Sequence, residues 1–341
     1  MKNFDGIIIL GDIMLGRKCT KYVNNNGMDL IFSSVLSKYK NYAFVANLES
    51  PLVDTKESIN DKKIRFKAPT NFAKLLKQQK IEALSLANNH TFDYGLDGFL
   101  STTETLRANN VKFFGAGINH TSASAPCMFK IDDKKIGLIG FSYYPAASES
   151  SYGVNNLYGE NIKKQIYELK KSTDFVIIMP HAGIELLDYP LPRDQKLYRS
   201  MIDAGADLVV GSHPHRVQVM EKWNNKRIYY SIGDFIFDHN HDDVWNNFWS
   251  NKAHPRVFNL KVDRKIPLES LLIVIEWNKK RKKFNVKHTP LLLGEDQEVI
   301  VLESQKKNVW ELRFDEKNKD FLKQNLLHEK ASSIQEKLGL K

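Results

Sequence analysis

The chain has 341 residues, of which 42% are hydrophobic and 26% are charged, a composition typical of a globular protein with a large buried core. Its two cysteines, Cys19 and Cys127, exclude a disulfide framework and a thiolate metal site. The net charge of +10 favours an anionic small molecule or polymer as partner. Nucleic acid is the least favoured of these partners, because the sequence carries no recognition motif for it.

The N-terminus passes directly into an apolar run at 6–10, which is too short for a signal peptide and predicts the first strand. No stretch of the sequence approaches the roughly 20 apolar residues that span a bilayer. We therefore expect a soluble, cytoplasmic protein with no membrane span. The sequence leaves the oligomeric state open.

From residue 7 to about residue 238, short apolar strands alternate with segments of helical periodicity. Strands are predicted at 7–10, 42–46, 83–86, 135–140, 175–179, 208–210 and 227–231, and helices at 71–79, 98–109, 159–170 and 193–204. This alternation predicts an α/β domain in which helices pack over one or two central sheets.

The pattern changes after residue 238. The stretch 239–255 is rich in Asn, Asp, His and Trp and predicts an irregular loop or lid. Its histidines and aspartates at 239–243 are interpreted as part of a polar loop, with an extra metal site as the alternative. The aromatic residues Trp245, Phe248 and Trp249 are interpreted as a lid over the cleft or a subunit contact, with ordinary core packing as the alternative.

The last part of the chain predicts a hairpin and a helix. Strand-like runs at 270–277 and 283–293 flank a basic run at 279–283, which is interpreted as a solvated turn, with a polyanion contact as the alternative. Apolar residues at helical spacing over 318–340 predict a helix that docks on the domain or binds a partner. We expect one domain over 1–300 and a helical extension over 301–341.

Five loops that each follow a predicted strand carry the residues with metal-ligating side chains. These residues are Asp12, Glu49, Asn89, His181, His213 and His215. Because ligands bind at the carboxyl edge of strands in α/β sheets, we expect the side chains to converge. Two carboxylates, one amide and three imidazoles suit divalent manganese, iron or zinc.

The residue types fit a site with up to two ions. A carboxylate can bridge two cations and offset their repulsion, whereas neutral imidazoles add no charge, so Glu49 is the candidate bridge. Two such ions activate water and polarise a phosphoryl oxygen. His90 adjoins Asn89 and can reach a leaving-group oxygen as an acid. Arg17, in a glycine-flanked loop, can bind an anionic substrate through charge-assisted hydrogen bonds.

The segment His213-Pro214-His215 is the most specific single element. With one residue between them on an extended backbone, both imidazoles leave the chain on the same side and can address neighbouring ions. Two surface histidines in a turn are the alternative interpretation.

Seven segments between residues 5 and 240 together form a recognisable pattern. They are 11–17 (GDIMLGR), 47–51 (NLESP), 87–95 (ANNHTFDYG), 115–117 (GAG), 203–207 (DAGAD), 211–218 (GSHPHRVQ) and 230–238 (YSIGDFIFD). In sequence and order they resemble the calcineurin-like metallophosphoesterase superfamily, and within it the CapA family of capsule and poly-γ-glutamate biosynthesis proteins.

The resemblance implies a four-layer α/β/β/α sandwich with mixed sheets and with metals at the loop edge. It implies that one ion is held by Asp12, Glu49 and His215. It implies that the other is held by Glu49, Asn89, His181 and His213, and that His90 is the catalytic histidine. From its charge and its loop, Arg17 is expected to assist His90 in catalysis. Substrate contacts are expected from Arg17, Asn47, Asn88, Tyr94 and Asp234.

Four positions depart from the superfamily pattern. Met14 stands where a histidine ligand is usual, and a thioether is a poor ligand for a hard ion, so the first ion is predicted to be weakly held or bound only together with substrate. Glu49 replaces the usual bridging aspartate, as in the CapA branch. Ala182 replaces a tryptophan and Asp234 replaces an asparagine, which changes two expected substrate contacts.

Three functions are compatible with these residues. The first is a metal-dependent hydrolase of phosphate esters or of a related anionic polymer linkage, in capsule, polysaccharide or polyglutamate metabolism. The second is a non-catalytic accessory protein of a polymer-biosynthesis complex that retains the fold. The third, nucleic-acid binding or cleavage, rests on the positive charge and on the resemblance, since some members of the superfamily are nucleases. We favour the first.

Overall fold

In the computed structural model, the described residues are 3–55, 64–185, 187, 189–238, 269–293 and 299–301. All of the predicted loop at 239–255, and all of the predicted C-terminal extension except residue 301, lie outside them. The predicted domain boundary therefore stays a prediction. Within the described residues, no helix is long and apolar enough to cross a membrane.

The described residues form seven helices and sixteen strands. The helices are α1 (Arg17–Asn26), α2 (Asp29–Lys38), α3 (Phe72–Gln78), α4 (Gly95–Ala108), α5 (His120–Ala123), α6 (Ile162–Ser172) and α7 (Pro192–Asp203). The first strands are β1 (Gly6–Ile13), β2 (Tyr42–Leu48), β3 (Ile81–Ser85), β4 (Lys112–Phe114), β5 (Ala116–Gly117), β6 (Cys127–Ile131), β7 (Lys134–Ser142) and β8 (Gly153–Val154). The remaining strands are β9 (Phe175–His181), β10 (Leu208–Val210), β11 (Met220–Trp223), β12 (Lys226–Tyr229), β13 (Asp234–Ile236), β14 (Glu269–Asn278), β15 (Lys283–Leu293) and β16 (Val299–Val301).

The first sheet has eight strands within the described part of the chain, in the order β16-β15-β14-β1-β2-β3-β4, with β13 also paired to β1. β1 runs parallel to β2 and β13 and antiparallel to β14, so the sheet is mixed. In register, Asp12 faces Asn47 on one side and Asp234 on the other. Three polar residues therefore meet at the carboxyl end of the central strand.

The second sheet has six strands in the order β11-β12-β10-β9-β7-β6, counted over the same described residues. Its four inner strands are parallel, and β6 and β11 pair antiparallel at the two edges. An isolated bridge between His181 and Ser212 continues the pairing of β9 into the loop after β10. His181 and the loop that carries His213 and His215 therefore lie at the carboxyl ends of the parallel strands of the second sheet.

Three apolar layers hold the two sheets and the helices together. Ile7 and Ile9 of β1 point into the core between the sheets, whereas Ile8 and Leu10 point into the core under the helices. This alternation is the period of two that places successive strand residues on opposite faces. A third core lies between the second sheet and α6 and α7. The order of layers is helix, sheet, sheet, helix, which confirms the predicted sandwich.

The predicted C-terminal hairpin is also confirmed. β14 pairs over its whole length with residues 283–292 of β15, and β14 joins the hairpin to β1 at the centre of the first sheet. The basic run at 279–283 lies at the exposed turn between them, as the composition predicted. α1 and α2 were not among the predicted helices; α1 begins at Arg17, inside the loop whose polar residues suggested a binding site.

Candidate metal centre

Glu49 lies at the centre of the candidate site, one residue beyond the end of β2. Its side chain is fully buried, and within the described part of the chain neither carboxylate oxygen has a hydrogen-bond partner. Oε1 lies 3.6 Å from His181 Nε2 and 3.8 Å from His215 Nε2. Burial, and then the charge of Asp12, raise the pKa of Glu49 well above its ordinary value. A buried carboxylate without partners is costly, and a cation among these ligands would remove the cost.

A first group of potential ligands consists of Glu49, His181 and His213, whose ligand atoms lie within 4.8 Å of one another. Asn89 joins it, because its Oδ1 lies 2.9 Å from His181 Nε2. His213 Nδ1 lies 3.2 Å from the same nitrogen. On the other side of the ring, Ser212 Oγ lies 3.0 Å from His181 Nδ1, which fixes the orientation of the ring.

A second group consists of Asp12, His215 and Asp234. Asp234 Oδ1 lies 2.8 Å from His215 Nδ1, so the other ring nitrogen, Nε2, is the one that faces Glu49. Burial acts to lower the pKa of His215, but the charges of Asp234 and Glu49 outweigh it and raise the pKa well above its ordinary value. The pair has the carboxylate-histidine arrangement that orients imidazole ligands in metal sites.

Asp12 is held between the two sheets. Its Oδ1 accepts a hydrogen bond of 2.8 Å from Asn47 Nδ2, and its Oδ2 accepts one of 3.1 Å from the backbone N–H of His213. Burial, followed by repulsion from Asp234, raises the pKa of Asp12 to about 6 in spite of these hydrogen bonds. The carboxylates thus crowd together in a buried space, which requires protons or a cation.

Met14 does not face either group. Its sulfur accepts the backbone N–H of Gly16 at 3.1 Å, and its side chain is fully buried in the core under the helices. Met14 therefore leaves the first ion one nitrogen ligand short, as predicted, but the carboxylate of Asp234 lies with Asp12 and His215 and could take that place. The sequence predicts that Asp234 contacts the substrate. That role and the role of metal ligand both stay predictions.

The backbone around Pro214 differs from the extended conformation predicted for it. His213 has φ 98° and His215 has φ 54°, values that residues other than glycine rarely adopt. The two rings still enter the same site, 6.1 Å apart between centroids. Gly183 packs on Pro214, where a Cβ would lie 3.0 Å from Pro214 Cγ. Such strain in a loop that holds functional side chains is typical of binding sites.

His90 lies beside the ligand groups and has a separate partner. Its Nδ1 lies 2.6 Å from Asp93 Oδ2, and both side chains are buried. The backbone N–H of His90 donates to Asn88 Oδ1 at 3.0 Å. With Nδ1 directed at Asp93, Nε2 is the nitrogen that can exchange a proton with a bound ligand.

The predicted substrate residues fall into two sets. Asn47 and Asn88 are buried, and their amides bond to each other at 3.0 Å and to the loops around Asp12, an arrangement that favours a role in positioning ligands. Arg17 and Tyr94 are half-buried. The Arg17 guanidinium lies 4.7 Å from the ring centroid of Phe66, and Lys67 Nζ lies 5.6 Å from that of Tyr94. The assignment of all four to substrate stays a prediction.

Three residues near the site were missed in the sequence. Asp93 could have been found from its position three residues after His90, which suits an acid that orients a histidine. Glu185 contributes to the raised pKa values of Glu49 and His215, so its charge lies near the centre. Phe66 carries no chemical signal, and only the fold brings it to His90, with ring centroids 4.0 Å apart.

Comparisons with known proteins agree with this architecture. The profile of a family described as the bacterial capsule synthesis protein PGA_cap matches residues 6–239. The PGA biosynthesis protein CapA of Bacillus subtilis (strain 168) is 34% identical over 236 residues, which cover 67% of this chain and 62% of that protein. The capsule biosynthesis protein CapA of Bacillus anthracis is 32% identical over 242 residues, which cover 67% of this chain and 59% of that protein. The chain thus spans about three fifths of the length of these relatives.

A solved structure described as a novel phosphatase from Mycoplasma pneumoniae has a TM-score of 0.51 at 14% sequence identity, and covers 86% of this chain and 95% of that chain. At this identity the likeness shows the fold alone, the α/β sandwich described above. The family profile covers the candidate ligands and the loops that carry them. The chain therefore belongs to the bacterial capsule synthesis protein PGA_cap family, as its resemblance to CapA proteins predicted.

Proposed function

We propose that this protein is a metal-dependent hydrolase of phosphate esters, or of a related linkage in an anionic polymer of capsule or polyglutamate metabolism. The observation that carries the proposal is Glu49, whose two oxygens are fully buried and have no hydrogen-bond partner within the described residues, while imidazole nitrogens lie 3.6 and 3.8 Å from Oε1. The donor set fits divalent manganese, iron or zinc.

The residues divide between two sites that share Glu49. Asn89, His181 and His213 would hold one ion with Glu49. Asp12 and His215 would hold the other, and Asp234 would add a carboxylate where Met14 supplies no ligand. When bound, the ions supply Lewis acidity, which polarises a phosphoryl oxygen and makes water more acidic.

The chain supplies the remaining chemistry. His90 Nε2 would donate a proton to the leaving-group oxygen, and Asp93 would hold the ring through Nδ1 and stabilise its charged form. Arg17 would bind an oxygen of the anionic substrate, since a guanidinium forms strong charge-assisted hydrogen bonds with phosphate. Burial of the centre strengthens each of these interactions relative to water.

The Asp234→Asn variant tests the assignment of Asp234. The amide oxygen of asparagine can still accept a hydrogen bond from His215, but the second carboxylate oxygen and the negative charge are lost. We therefore expect the affinity for one of the two ions to fall by about 10- to 100-fold. The measurement is a calorimetric titration of each protein with metal. The control is Asp203→Asn, at the C-terminal end of α7. Equal affinities in all three proteins would exclude Asp234 as a ligand or an orienting group.

The His213→Ala variant tests the proposed function. Purified protein reconstituted with manganese should hydrolyse an aryl phosphodiester or monoester, and loss of this ligand should lower kcat about 10-fold or more. The matched control is His120→Ala, which removes an imidazole at the start of α5, outside both ligand groups. Equal rates in the variant and the unchanged protein would reject the site.

A second candidate function is an accessory role in polymer synthesis without catalysis. It is supported by the names of the two relatives, which refer to biosynthesis rather than hydrolysis. Metal content after purification separates the candidates. Close to two ions per chain favours the hydrolase, whereas no ion, even after soaking with manganese, favours the accessory role.

A further inference from the structure

Phe66 contacts both groups to which the proposed function gives a role toward substrate. Its ring centroid lies 4.0 Å from that of the His90 imidazole, with 33° between the planes, and 4.7 Å from the Arg17 guanidinium carbon. Only 3% of Phe66 is exposed, so the ring is fixed by packing. An aromatic face in this position attracts a cation and restricts an imidazole by stacking.

The backbone of Phe66 takes part in the same arrangement. Its N–H donates to Asp93 Oδ2 at 2.8 Å, the oxygen that also lies 2.6 Å from His90 Nδ1. Phe66 therefore contacts the imidazole through its ring and holds the partner of the imidazole through its backbone. Both contacts restrict the plane of the His90 ring.

The segment that carries Phe66 is anchored to two loops of the metal centre. A Cβ on Gly16 would lie 2.5 Å from the carbonyl oxygen of Lys67, so the loop of Arg17 touches this segment through its backbone. Ala68 donates to Pro51 O and accepts from Val53 N, both at 2.9 Å, in the loop that follows Glu49. The position of Phe66 is thus set by the loops that bear two of the predicted functional residues.

An aromatic contact continues from Phe66 to the ligands. Its ring meets that of Phe237 edge-on at 5.7 Å between centroids, and Phe237 lies 4.3 Å from the His215 ring. Phe66 and Phe237 are both buried. The two phenyl rings thus form a continuous apolar contact from His90 to His215.

We propose that Phe66 is a positioning residue, which fixes the His90 ring with Nδ1 on Asp93 and keeps the Arg17 guanidinium beside it. The expected effect on hydrolysis rests on the proposed function. The orientation of the His90 ring by Phe66 does not depend on that function. Phe66 itself has no group that can bind an anion or move a proton. The effect of a Phe66 substitution must therefore be measured through the acid function and the ring protonation of His90.

The first test compares two esters in the Phe66→Leu variant. An ester with a poor leaving group needs an acid, whereas a nitrophenyl ester needs it little. Since a positioned acid contributes about 10²- to 10⁴-fold, we expect kcat to fall about 10-fold for an alkyl ester and less than about 3-fold for the nitrophenyl ester. The control is Phe99→Leu, which removes a ring that is equally buried and packs on Phe92 instead. Equal losses for both esters would overturn the proposal.

The second test needs no substrate and no activity. Nitrogen NMR of the neutral imidazole, with His90 assigned from the His90→Gln spectrum and zinc as the diamagnetic metal, reports which ring nitrogen carries the proton. We expect the Nδ1–H form alone in the unchanged protein and in Phe99→Leu, and a mixture of both forms in Phe66→Leu. A single Nδ1–H form in Phe66→Leu would reject the positioning role.

The two measurements separate the two proposals. An unchanged protein that hydrolyses neither ester, together with a mixed form in Phe66→Leu, would reject the hydrolase and retain the role of Phe66. Phe66→Met, which keeps more of the side-chain volume, replaces Phe66→Leu if the latter does not fold, with the same expected results.

Discussion

The His90→Gln variant should lose about 10²- to 10⁴-fold in kcat for esters with poor leaving groups and keep its full metal content. The reason is the position of His90 outside both ligand groups, with Nδ1 directed at Asp93. Removal of the imidazole takes away the proton donor, whereas glutamine retains much of its volume. Steady-state rates with an alkyl and a nitrophenyl ester, and metal content by elemental analysis, provide the measurement.

Asp93→Asn is the companion variant. It leaves the imidazole in place but removes the charge that stabilises its protonated form, so we expect a smaller loss with the same dependence on the leaving group. Asp54→Asn is the control, because Asp54 is an exposed carboxylate that bonds to Thr70. A loss of bound metal in His90→Gln would contradict the separation of His90 from the ligands.

The convergence of the ligands could be predicted because it follows from the order of strands. Asp12, Glu49 and Asn89 lie at or just after the ends of three neighbouring parallel strands, and such ends share one edge of a sheet. His181 and His215 come from a second sheet, whose matching orientation was implied by the family resemblance and not by the strands alone. The segments that surround these residues were also found, since apolar strands and helical periodicity are local patterns.

The parts that could not be predicted depend on distances across the fold. Asp234 was interpreted as a substrate contact, and only its hydrogen bond to His215 gives it a second role. Phe66 is a lone aromatic residue in the sequence, and its contacts with His90 and Arg17 need the loops to be assembled first. The positive φ values of His213 and His215 are backbone conformations for which the sequence offers no signal.

The metal-free protein should lose stability as the pH rises from about 4 toward 6 and above, because the folded centre binds more protons than the unfolded chain. The pKa of Asp12 is raised to about 6 from 3.8, which corresponds to about 3 kcal/mol of unfolding free energy lost across this range. The raised pKa values of Glu49 and His215 act in the same direction, because the folded protein holds these protons at a pH at which the unfolded chain has released them; the contribution of His215 is lost only above its ordinary pKa of 6.5. Divalent cations bind the deprotonated carboxylates, so added manganese should restore stability, and most strongly at neutral pH.

Glu49→Gln isolates the central carboxylate in this behaviour. In the metal-free protein at neutral pH, the unchanged Glu49 must either keep a buried charge or hold a proton above its ordinary pKa, and both cost free energy. A neutral amide avoids this cost, so we expect the free energy of unfolding to increase by about 1–3 kcal/mol. With manganese bound, we expect the unchanged protein to have the higher free energy of unfolding, because the variant lacks the carboxylate proposed to be common to both metal sites. Urea unfolding with and without chelator measures both effects, and Glu149→Gln, an exposed carboxylate, should change neither. A metal-free Glu49→Gln protein that is less stable than the unchanged protein would show that Glu49 is paired without a cation, and would remove the main physical reason for a metal at this centre.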